Sequence, residues 1–107
     1  MTPTRSHHTI APDDFPALRD FLTGYLHQDY AVEHRTPQRA MQAFCRDASA
    51  AERRRLRGDA ARFAAATIGW PWRDTRRAFR QLGAAWVPPS ESALAGFLQS
   101  IASARDR

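Results

Sequence analysis

The sequence predicts an all-α fold, a small antiparallel bundle of about five amphipathic helices. Three observations carry this. Of 107 residues, 20 are Ala, the residue with the lowest helix cost, while only two Val and three Ile are available to populate strands. Apolar side chains recur at helical rather than alternating spacing along most of the chain. Between these stretches stand cap and stop residues, Thr-Pro, Ser-x-x-Glu, Gly and Pro-Pro, at intervals that leave short connections.

Residues 1–11 are polar and aperiodic and read as a mobile N-terminal segment of a single domain spanning 1–107. Asp13 or Asp14 is expected to cap helix one, with Pro16 in its first turn. Phe15, Leu18, Leu22 and Tyr25 form its stripe, and Asp20 and Gly24 lie opposite. A break is expected near Gln28, because a continuing helix would swing the Asp29 carboxylate toward the core. Asp29 then caps a short turn. Thr36 and Pro37 form an N-cap and first-turn pair for helix two, which reaches about Asp47 with Met41, Phe44, Cys45 and Ala48 on its apolar side. Ser49 and Glu52 have the spacing of a capping box, and Leu56, Ala60, Phe63 and Thr67 give helix three its buried face up to Gly69. Gly58 costs that helix about 1 kcal/mol relative to Ala, so it marks either a close helix contact or a split with Asp59 restarting the helix. Trp72, Thr75, Phe79 and Leu82 form the stripe of helix four, ended by Gly83. After Pro88 and Pro89, Ser90 caps helix five, whose stripe is Leu94, Phe97, Leu98 and Ile101.

Composition narrows the chemistry. All 16 basic residues are Arg, which excludes a lysine Schiff base, and the single Cys45 excludes an internal disulfide. No apolar run has the length of a signal peptide or a membrane span, so the chain reads as cytoplasmic with no membrane partner. His7 and His8 lie in the terminal segment, and His27 and His34 straddle the expected break, too few placed ligands for a metal. Neither a cofactor nor a catalytic constellation is expected. Cys45 reads as a buried core thiol, and Arg57, Gly58 and Asp59 match an adhesion tripeptide by letter only, inside a helix.

The net charge of +5 is unevenly spread. Residues 10–34 carry −4 and residues 35–80 carry +8, so two oppositely charged surfaces are expected. Arg73, Arg76, Arg77 and Arg80 share one flank of helix four, a candidate nucleic-acid surface, against the plainer reading of a solvated basic face. The nearby aromatics Trp72 and Phe79 fall on the core stripe and are not free to stack on bases.

The run Gly24, Tyr25, Leu26, His27, Gln28, Asp29, Tyr30 sets imidazole, amide and carboxylate between aromatics at a helix end, where they can satisfy orphan backbone groups. It resembles the Gly-Tyr-Phe-His-Gln-Asp-aromatic signature of CdiI-type immunity proteins from bacterial contact-dependent growth inhibition systems. Leu82, Gly83, Trp86 and Pro88 resemble the Leu-Gly, aromatic, Pro segment nearer that family's C-terminus, and the likeness covers roughly residues 15–102. The resemblance implies an all-helical, non-enzymatic protein that binds the cognate C-terminal toxin domain of a large surface adhesin, often a nuclease attacking tRNA, and blocks substrate access. It implies structural roles for Gly24, Tyr25, His27, Gln28, Asp29, Gly83, Trp86 and Pro88. The exposed acids Asp13, Asp14, Asp20 and Glu33 are the expected toxin contacts, since complementary charge speeds association. The alternative is a small nucleic-acid-binding module using the Arg73 to Arg80 flank.

Overall fold

A computed structural model describes residues 10–26, 36–83 and 86–103 of the protein. Within them a 3-10 turn, Pro12–Asp14, leads into five helices: α1 (Pro16–Tyr25), α2 (Pro37–Asp47), α3 (Ala50–Ala66), α4 (Trp72–Gln81) and α5 (Glu91–Ser103). No strand occurs among the described residues. None of their helices is long and apolar enough to cross a membrane.

The start and stop signals act largely as the sequence predicts. Thr36 Oγ1 accepts the Arg39 N–H at 3.1 Å at the head of α2. The Ser49 and Glu52 capping box closes in both directions, at 2.8 and 3.1 Å. Ser90 Oγ accepts the Ala93 N–H at 3.1 Å at the head of α5. Gly69 (φ 81°) and Gly83 (φ 107°) occupy the left-handed region that an L side chain avoids, just beyond the ends of α3 and α4.

One cap differs from expectation. Neither Asp13 nor Asp14 caps α1, whose N-cap position is Phe15 without any side-chain cap of its own. Both acids are spent in the 3-10 turn, one residue too early, and the capping group comes from α3 instead.

The core is continuous through all five helices. Leu18, Phe21 and Leu22 of α1, Leu56, Ala60 and Phe63 of α3, Ala78 and Phe79 of α4, and Leu94, Phe97, Leu98 and Ile101 of α5 are buried in one cluster. α3 packs against both α5 and α1, and α1 against α2. Phe79 sits at the aromatic junction, 6.2 Å from Phe63, 6.3 Å from Phe97 and 6.3 Å from Trp86 between ring centroids, all in edge-on arrangements.

On α2 the buried line is rotated from the expected one. Ala40 and Ala43 are fully buried, whereas Met41, Phe44 and Cys45 are only half-buried. Interaxial distance depends on the side chains at the contact. α2 turns its small residues to α1 and drapes Phe44 over the edge, 5.3 Å from Phe21 and 5.6 Å from Tyr25.

Candidate docking surfaces

The N-terminus of α1 is held by a side chain that lies 41 residues away in sequence. Asp59, just past the middle of α3 and only 5% exposed, accepts the N–H groups of Ala17 and Leu18 on Oδ2 at 2.7 and 3.1 Å. A carboxylate at that place satisfies two orphan amides of the first turn and complements the helix dipole. Its other oxygen, Oδ1, is paired with Arg62 one turn along α3. Arg62 also donates to the Asp14 carbonyl at 3.0 Å and lies 5.1 Å from the centre of the Phe15 ring. The pair thus braces the 3-10 turn as well as the helix.

This brace fixes where the expected contact acids lie. Asp13 is exposed but paired with Arg19, which cancels its charge locally. Asp14 and Asp20 are exposed. Asp20 stands at a groove of about 520 Å³ between α1, α2 and α3, together with Pro16, Phe44, Glu52, Arg55 and Gly58. The Glu52 carboxyl is held below its usual range by the Ser49 N–H and then the Ser49 hydroxyl. Gly58 explains itself neither as a close contact nor as a split. α3 runs through it unbroken, and a Cβ built there meets nothing within 4 Å. Its missing side chain leaves the groove wall open. Glu33 lies outside the described residues.

Of the signature residues, Gly24 is exposed at the end of α1, and His27, Gln28 and Asp29 lie outside the described residues. Tyr25 stacks on Phe21 at 5.7 Å and donates its hydroxyl to Asp47 Oδ2 at 3.2 Å, tying the C-terminal end of α1 to that of α2. Burial raises the Tyr25 pKa above its ordinary value, and the neighbouring Asp47 carboxylate raises it further. The second segment holds α4 to α5. A Cβ on Gly83 would lie 2.5 Å from Thr23 Cγ2, so this backbone passes close against α1. Trp86 packs edge-on against Phe97 at 5.0 Å, and Pro88 is fully buried.

α4 brings its four arginines together. Arg73, Arg76, Arg77 and Arg80 are exposed and, with Gln81, line a depression of about 410 Å³. Arg77 Nη1 lies 3.5 Å from Oδ1 of Asp74, which is 7% exposed. Like charges at helical i,i+3 and i,i+4 spacing cost roughly 0.2–0.5 kcal/mol per pair. Trp72 is half-buried and Phe79 buried, so α4 presents charge rather than ring faces.

Read in sequence, Asp59 has a role only as the residue that would restart helix three after Gly58, and Arg62 and Asp74 have none. A signal for the first was available: Asp59 stands three residues after Leu56 and four before Phe63, on the buried stripe, with an arginine one turn further on. Among the described residues no group of three or more His, Cys, Asp or Glu is arranged to hold a metal ion.

The family whose model matches the chain is described as CdiI immunity protein, and the match covers residues 14–105. No curated protein and no solved structure matches.

Proposed function

The chain belongs to the CdiI immunity protein family, which neutralises toxins of contact-dependent growth inhibition systems, and we propose that it binds a nuclease toxin domain at the C-terminus of a large surface adhesin and blocks access of its substrate. Members of the family are inhibitors rather than enzymes. The single observation that carries this reading is the family match over residues 14–105, which takes in all five helices and the last residue of the preceding turn.

The geometry supports a docking surface at the head of α1. Asp14 and Asp20 are exposed there, beside an open groove, on a helix whose first turn is anchored to α3 through Asp59. Asp13 contributes less, being paired with Arg19. A nuclease must hold polyanionic substrate and so offers positive charge to such acids.

The test is protection. Cells making this chain survive expression of the toxin domain encoded by the adhesin gene immediately upstream, and the two proteins co-purify one to one. Survival without the chain overturns the reading. Reversing Asp14 and Asp20 to Arg slows association about tenfold while the circular dichroism spectrum stays unchanged; an unaltered on-rate places the contact elsewhere.

A further inference from the structure

α4 carries more charge than the ion pair of its Arg77 with the buried Asp74 takes up. Its apolar side, Ala78 and Phe79, is buried in the core, which fixes the opposite side outward. On that side Arg73, Arg76, Arg77 and Arg80 line one depression, and a helical rise of about 1.5 Å per residue puts the first and last about 10 Å apart along the axis. The turn that feeds α4 adds an unexpected apolar group. Ile68 is 78% exposed, on a turn fixed by Gly69 at φ 81° and by the Trp70 N–H donating to the Thr67 carbonyl at 3.0 Å.

We propose that Ile68 and the α4 arginines form a second docking surface, for an acidic patch of the toxin domain outside its catalytic cleft. This rests on the toxin-binding reading above and extends it to a surface of opposite sign. Guanidinium forks match carboxylates in bidentate geometry, so the chemistry selects Asp and Glu side chains on the partner. A cleft that holds phosphates is itself positive and repels such a face, which places the contact elsewhere on the toxin. Protein is favoured over RNA as the occupant for two reasons. Single-stranded nucleic acid is gripped by exposed rings, and here Phe79 is buried and Trp72 half-buried. An exposed aliphatic side chain on the turn that leads into the arginine helix instead supplies apolar area of the kind that protein interfaces combine with Arg.

The experiment measures binding of a catalytically inert toxin domain to the full chain by biolayer interferometry. It compares the wild type with R73E/R76E/R80E, R73Q/R76Q/R80Q and I68S, each checked for native helicity. Charge reversal is expected to slow association about ten- to a hundredfold, the neutral variant less, and I68S to speed dissociation. If the wild type binds and the reversed protein binds within twofold of it, the second surface falls while the toxin-binding reading stands. If the wild type itself does not bind, the reading fails first. A parallel titration with tRNA separates the remaining occupant. Steeply salt-dependent tRNA binding that is lost on reversal, with toxin affinity unchanged, overturns the proposal in favour of a nucleic-acid surface.

Discussion

Replacing Asp59 with Ala removes the acceptor of two amides at the head of α1, and the size of the loss follows from where those amides sit. Both bonds are made to a carboxylate that is 5% exposed, and the Leu18 bond is buried. Leaving a buried donor unsatisfied costs about 1–3 kcal/mol, and loss of the charge from the positive end of the helix dipole adds roughly 0.5 kcal/mol. The Ala17 amide is only part-buried and regains water in part, so about 3 kcal/mol is expected in all, a large share of the roughly 5–15 kcal/mol that holds a domain of this kind. Asp59→Asn keeps an acceptor oxygen and should cost about 1 kcal/mol, since Asn caps helices nearly as well as Asp. Arg62→Ala should cost less than about 1 kcal/mol, because its side chain is 56% exposed and the pair is screened by water. Urea unfolding followed by far-UV circular dichroism gives all three values. The ordering Ala, then Asn, then the Arg62 variant is the prediction. An Asp59→Ala protein within about 0.5 kcal/mol of wild type would show that the first turn of α1 does not depend on α3.

Gly83→Ala should destabilise by about 1–3 kcal/mol, because φ 107° is strained for Ala and its Cβ meets Thr23 Cγ2. Rotating Thr23 away gives up its hydroxyl bond to the Arg19 carbonyl, so Thr23→Ala should restore only part of the loss in a double-mutant cycle. Since the Tyr25 pKa is raised on folding, its contribution to stability is complete below the unfolded value of about 10 and is lost as pH rises through the folded value. Tyr25→Phe should flatten that alkaline limb in a pH series of melts and cost about 1 kcal/mol at neutral pH through the lost Asp47 bond. Arg76→Gln with Arg80→Gln removes three like-charge pairs on α4 and should raise stability by about 0.6–1.5 kcal/mol at low salt, a gain that disappears in high salt.

Elements governed by local rules were legible in the sequence. The caps at Thr36, Ser49 and Ser90 and the glycine stops at Gly69 and Gly83 depend on neighbours within a few residues, and each occupies its expected place. The α5 stripe was equally plain, since every large apolar residue there faces the core. What escaped depends on residues distant in sequence. Asp59 reads in sequence only as a restart of helix three after Gly58, because the amides it serves belong to α1. On α2 the large side chains drew attention, yet closeness to α1 favoured Ala40 and Ala43. The four arginines of α4 were found by spacing alone, but the exposure of Ile68 was not, because a turn residue has no periodicity to read.

Gly58 differs from Gly83 in a way that bears on the docking surface at the head of α1. Gly83 is required by its backbone angle and by Thr23, whereas Gly58 is helical, with open space where a Cβ would be. Ala at that position should therefore stabilise α3 by about 0.5–1 kcal/mol. Folding gains nothing from the glycine, and residues that lower stability without a structural return are expected where a partner is accommodated. Because Gly58 lines the same groove as Asp20, a methyl group there should obstruct an incoming toxin side chain and raise the dissociation rate while the melting temperature goes up. Opposite signs for stability and binding are the outcome that docking at this groove requires. A Gly58→Ala protein that is more stable and holds the toxin domain as long as the wild type would show that the partner does not enter the groove.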